Sequence, residues 1–155
     1  MDQEEPQSLD RDRCIEIGRS CACANLRMAA RAVTRLYDDA LRPTGLRSTQ
    51  FGLLMAVRIL GPMSVTRLAG AALMDRTTLT RNLSLLEKKA LIRIEPGEDQ
   101  RMREVSLTQE GHAALTEALP LWEKAQAQVV HGLGKDRMAH LLKDLSAVVS
   151  LTRNP

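Results

Sequence analysis

The chain has 155 residues, enough for one domain or for a domain with a dimerisation appendage. Apolar residues make up 44% and aromatics only 2% (Tyr37, Phe51 and Trp122), so aliphatic side chains must fill the core, which favours helices over a β-sandwich. Lys and Arg number 22 against 19 Asp and Glu, a surplus too small to prove nucleic-acid binding by itself. Its placement says more. Asp2, Glu4, Glu5, Asp10 and Asp12 crowd the N-terminus, so the remaining chain is more basic than the total suggests. The acidic, polar start does not read as a secretory leader. No apolar run reaches the roughly 18 residues of a membrane span. Cys14, Cys21 and Cys23 are an odd number clustered at one end, a poor disulfide framework that fits a reducing, cytoplasmic setting.

Residues 1–11 read as a flexible acidic segment. From Asp12 to Leu41 the pattern predicts one helix, with Ile15, Leu26, Val33, Leu36 and Leu41 apolar and Arg27, Arg31 and Arg35 interleaved. Pro43 and Gly45 end it. Ser48 or Thr49 is expected to cap a second helix through Phe51, Leu54, Val57 and Leu60, stopped by Gly61-Pro62. Ser64 suits the N-cap of a short third helix, Val65 to about Ala71. Ala72-Leu73-Met74 is a tight connection, and Asp75 caps a fourth helix reaching about Lys89, with Leu79, Leu83 and Leu86 on its inner face.

After Ala90 the period changes to two. Leu91–Glu95 and Arg103–Leu107 read as strands flanking the polar loop Pro96–Met102, a hairpin wing. Thr108 caps a fifth helix with Leu115, Leu119, Trp122, Ala125 and Val129, kinked at Pro120 and broken by Gly132 and Gly134. A last helix carries Met138, Leu141, Leu142, Leu145 and Val149 from about Asp136 to Leu151. The expected fold is mainly α with a small β-hairpin wing: a winged helix-turn-helix over 47–107, with helical dimerisation regions at 12–46 and 108–155. The terminal helices carry apolar stripes with no partner inside the central domain. They pack either on each other within one chain or on a second copy, and a homodimer is the sharper reading.

A helix-turn-helix places its second helix in the major groove of DNA. The segment from Ser64 to Asn82 supplies both helices. Ser64, Thr66, Thr77, Thr78 and Thr80 offer hydroxyls to phosphates, Arg76 and Arg81 suit guanine or phosphate, and Asn82 can read adenine. In the wing, Arg101 and Arg103 are candidates for a minor groove, with Asp99 pairing with one of them to fix the loop. The competing reading is an ordinary solvated face with surface ion pairs.

The stretch DRTTLTRNLSLLEKKALI followed by GEDQRMREVSLTQEG resembles the MarR-type (multiple antibiotic resistance regulator) winged-helix family. Asp99-Gln100-Arg101 matches that family's aspartate-x-arginine wing, and residues 31–54 are similar to its first two helices. The resemblance covers nearly the whole chain beyond residue 12. It implies a dimer clamped by terminal helices, bound to a palindromic double-stranded operator. It also implies a signal that releases DNA: a small-molecule effector, a metal or an oxidant.

Aligned through RAVTRLY, Cys23 falls where the organic-hydroperoxide regulators of that family carry a reactive cysteine. Tyr37 stands at one of the two tyrosine positions that bond such a thiolate. Ser48 occupies the other. Oxidation of Cys23 to a sulfenic acid could continue to a disulfide with Cys14 or Cys21. On a continuous helix Cys21 and Cys23 point apart, which favours Cys14 or a partner subunit's cysteine as the resolving thiol. The cysteines could equally pack a helix seam. A second reading makes Arg27, Arg31, Tyr37 and Trp122 a pocket for an anionic or aromatic ligand. No cofactor or metal site is expected, since His112, His131 and His140 lack ligand spacing. No nucleotide-binding, zinc-protease or nucleophile-elbow motif points to an enzyme.

Overall fold

The computed structural model describes residues 10–97 and 101–153, which fall into two compact units divided between Leu36 and Tyr37. The first unit contains α1 (Arg11–Ser20) and most of α2 (Ala22–Leu41). Asp10 caps α1 by accepting the Arg13 N–H at 2.7 Å. The single helix expected from Asp12 to Leu41 is thus two helices. Cys21 breaks them with an extended backbone, φ −67° and ψ 107°. Gly18 and Ser20 are weak helix formers at that point, and the Ser20 hydroxyl bonds back to the Glu16 carbonyl at 2.8 Å. The Asn25 side-chain amide then fastens the corner, donating to the carbonyls of Cys21 at 2.9 Å and Arg19 at 3.2 Å. No described residue of this unit is buried, and Ile15, Ile17, Leu26, Met28 and Val33 stand 37% to 59% exposed.

The second unit begins in the last turn of α2. A short 3-10 turn at Arg42–Thr44 ends on Gly45, whose φ of 71° is left-handed. Next come α3 (Ser48–Leu60), strand β1 (Met63–Ser64), α4 (Val65–Ala72), α5 (Arg76–Lys88), strands β2 (Ile92–Pro96) and β3 (Arg103–Leu107), then α6 (Gln109–Leu133) and α7 (Lys135–Arg153). The sheet order is β1-β3-β2, all antiparallel, with Met63 and Ile94 both opposite Val105. Strand β1 was not anticipated, because two residues between Gly61-Pro62 and a helix cap carry no alternation to detect.

The core lies where α3, α4, α5 and α6 meet the sheet. Leu41, Leu54, Leu68, Leu79, Leu86 and Val105 are all below 2% exposed. Each such side chain contributes about 1.5–3 kcal/mol of hydrophobic stabilisation. The inner stripe Leu79, Leu83, Leu86 is buried as its spacing predicts, which leaves the opposite face of α5 to solvent.

Helix ends differ from expectation in two places. Ser48 is the first residue of α3 rather than its cap, and its N–H is bonded instead by Asp38 of α2 at 2.7 Å. Helix α6 runs through both Pro120 and Gly132 and stops at Gly134, whose φ is 84°. On α7, Leu141, Leu142, Val148 and Leu151 remain 40% to 77% exposed.

Candidate nucleic-acid interface

Helix α4 meets α5 through a turn whose sharpness comes from Leu73, held left-handed at φ 49°, ψ 42°. Its N–H and that of Met74 cap the last carbonyls of α4. Asp75 then starts α5 by accepting the Thr78 N–H at 2.9 Å. Bonds from the Thr78 side chain and backbone hold the Asp75 carboxyl below the usual carboxylate range. The cap therefore stays ionised, and its charge suits the positive end of the helix dipole.

On the outer face of α5, Arg76, Thr77, Thr78, Thr80 and Arg81 are exposed and Asn82 is half-buried. Two of these groups are partly engaged. The Thr80 hydroxyl donates to the Arg76 carbonyl at 2.7 Å, and the Asn82 amide donates to the Thr78 carbonyl at 2.9 Å. Both keep acceptor capacity, and the Asn82 carbonyl oxygen is still available. Ser64 caps α4, accepting the Arg67 N–H at 3.2 Å, while Thr66 is exposed beside it.

The wing is held at its base by the Gly97 N–H, which donates to the Met102 carbonyl at 2.7 Å. Arg101 and Arg103 are exposed, and the Arg103 guanidinium reaches the Ile94 carbonyl at 3.4 Å. The expected partner Asp99 lies outside the described residues.

A cleft of about 350 Å³ separates α5 from the wing. It gathers Ser64 and Thr66 at the start of α4, Arg76 and Thr80 of α5, and Arg101 and Arg103 of the wing. Its floor is apolar, with Val65, Leu83, Ile94 and Met102. Ser84 and Glu87 line it too. The sequence places Ser84 with Arg76 and Thr80 on the outer face of this helix but does not single out Glu87, although the spacing Arg76, Thr80, Ser84, Glu87 marks one helical row. Thr77, Thr78, Arg81 and Asn82 do not line this cleft, so the polar face of α5 extends beyond it.

The sensor candidates are less concentrated. Cys14 and Cys23 are exposed and Cys21 is half-buried, all as free thiols. Cys21 sits at the α1–α2 break with its sulfur 3.5 Å from the Ala24 N–H, so the argument that a continuous helix splays it from Cys23 does not hold. Arg27 and Arg31 are exposed on the part of α2 in the first unit. Tyr37 and Trp122 belong to the second. There the Trp122 ring stacks on Phe51 at 6.1 Å and lies 6.3 Å from Tyr37. The Tyr37 hydroxyl donates to the Gln126 side chain, and burial raises its pKa. Ser48 bonds Asp38 through its hydroxyl at 2.8 Å.

The MarR family model matches residues 44–102, which span α3, the helix-turn-helix and most of the wing. A solved structure of the M. tuberculosis transcriptional regulator MosR in complex with DNA is 38% identical, with a TM-score of 0.76 over 86% of this chain and 99% of that one. The chain belongs to the MarR family. This MarR-family chain also superposes on a mutant E. coli MarR complexed with operator DNA, at 25% identity and a TM-score of 0.76 over 88% of this chain and 96% of that one. Its fold is the winged helix of those structures. The HTH-type transcriptional regulator YwoH of Bacillus subtilis (strain 168) is 31% identical over 85 residues, 55% of this chain and 62% of YwoH. The MarR-family chain thus spans less than two thirds of that curated relative.

Proposed function

We propose that this MarR-family chain is a transcription regulator that binds a palindromic double-stranded DNA operator as a homodimer. The observation that carries the reading is the cleft, where three arginines and several hydroxyls from α4, α5 and the wing converge beside an exposed polar face of α5. A recognition helix with a flanking hairpin needs that pairing to hold adjacent grooves. MosR and MarR, crystallised with DNA, support it. The exposed apolar faces of α1, α2 and α7 support a second copy as their partner. On this reading 12–46 and 108–155 form the dimerisation region and 47–107 the DNA-binding domain.

The regulator acts as a repressor released by oxidation near Cys23. In the proposed step the Cys23 thiolate attacks a peroxide oxygen. The O–O bond breaks, a sulfenic acid forms and water or an alcohol leaves. A second thiol, Cys14, Cys21 or a cysteine of the partner subunit, then displaces the sulfenic oxygen as water. Exposure of Cys23 and its position two residues beyond the α1–α2 break favour this over a purely structural role. Release amounts to a population shift: a changed bend alters the pose of the two winged domains, and affinity falls by the differential free energy of the poses.

The test is a titration against the DNA upstream of the chain's own gene, in thiol reductant and after mild peroxide. Cys14→Ser, Cys21→Ser and Cys23→Ser variants run beside the wild type. Tight reduced binding, lost on oxidation but retained in Cys23→Ser, is expected. Binding indifferent to peroxide in every variant would retire the thiol switch. It would shift attention to a small anionic or aromatic ligand as the signal.

A further inference from the structure

The cleft between α5 and the wing contains a group that a simple anion seat would exclude. Glu87 lines it, exposed, in the last turn of α5, and makes none of the ion pairs found among the described residues. Arg76 is the first residue of the same helix and lines the same cleft. Along the row Arg76, Thr80, Ser84, Glu87 the lining therefore passes from cation through hydroxyls to anion. At a rise of 1.5 Å per residue that row is on the order of 16 Å long.

The reading of this inference rests on DNA binding as proposed above. With α5 in the major groove and the wing in the adjacent minor groove, the strand that divides those grooves must run between them. The cleft has the chemistry of such a strand. Ser64, Thr66 and Arg76 offer donors for phosphate oxygens, while the half-buried Val65 and Ile94 offer apolar contact for the sugars. Contacts of this kind set register and orientation and carry no base information.

We infer that this cleft seats one sugar–phosphate strand and that Glu87 is its acidic stop, a positioning residue that repels phosphate at one end of the row. Glu87 lowers affinity for every DNA sequence. Because repulsion grows when the strand slips along the row, it also fixes where the strand sits. Base reading is left to Arg81 and Asn82, which lie outside the cleft.

The experiment measures binding of wild type, Glu87→Gln and Glu87→Ala to two duplexes of about 30 base pairs, long enough for two half-sites one helical turn apart. One duplex is the upstream intergenic sequence and the other an unrelated sequence, each titrated across a salt series. Thermal melting confirms that the variants are folded, as an exposed helix position should allow. Both variants are expected to bind both duplexes about 3-fold more tightly, the size of one like charge removed near a phosphate in solvent. Their salt dependence should steepen. Unchanged or weaker binding by both variants, or a gain confined to the upstream duplex, overturns the inference while leaving DNA binding intact. A wild type that binds neither duplex at low salt overturns DNA binding itself and this inference with it.

Discussion

Gly111 lies directly beneath the carbonyl of Leu91: a Cβ built on Gly111 would stand 2.0 Å from that oxygen. Around this approach Thr108 donates its hydroxyl to the Ala90 carbonyl at 2.6 Å and its N–H to Leu91 at 3.2 Å. The start of α6 is thereby fastened to the segment joining α5 to β2. Gly111→Ala forces backbone apart rather than a flexible side chain. It should destabilise the fold by at least the 1–3 kcal/mol typical of overpacking, read as a lowered urea midpoint. An unchanged midpoint would mean that the junction has slack.

Asp38 holds α3 by accepting the Ser48 N–H and hydroxyl and pairing with Arg47 at 3.2 Å. Burial raises its pKa, but the bonds from Ser48 and Arg47 outweigh it and leave the carboxyl below its ordinary 3.8. The unfolded chain binds this proton more readily, so stability rises with pH through that window. The contribution is complete above the ordinary value and is lost as pH falls through the depressed one. Asp38→Asn should cost about 1 kcal/mol at neutral pH, as for a lost helix cap, and should remove this acid-side slope. Denaturant melts at several acidic pH values would detect both effects.

Leu73 is 56% exposed and left-handed, so its side chain gives little burial in return for the backbone strain. Leu73→Gly should leave the turn in place and stabilise the protein by up to about 1 kcal/mol. The prediction is a higher urea midpoint with an unchanged slope. A lower midpoint would show that Leu73 packs against something in the assembled protein.

On DNA, the residues of α5 inside and outside the cleft should separate by their response. Arg76→Ala, in the cleft, should weaken binding to all sequences and flatten the salt dependence. Arg81→Ala and Asn82→Ala should cost about 1–3 kcal/mol on the operator and much less on unrelated DNA. Equal losses on both DNAs for all three variants would contradict the division.

Much of this was legible from residue spacing. Leu79, Leu83 and Leu86 placed the inner face of α5, and Ser64, Asp75 and Thr108 marked three helix starts that the structure keeps. Features made by distant residues were not legible. Asp38 caps a helix ten residues away, and nothing local distinguishes it from Asp39. The Cys21 break depends on the Asn25 amide reaching back to α1, while the apolar period continues across the corner. Glu87 sat in an evident helix, but its place in a cleft with Arg101 requires the wing to fold beside α5.

The most direct test of the account is the salt dependence of binding to the upstream duplex, for wild type and Arg76→Ala, in reductant. The prediction is tight binding whose logarithm falls linearly with the logarithm of salt, with a shallower line for the variant. Binding that is absent at low salt, or the same slope for both proteins, would contradict an interface built on α5 and the wing.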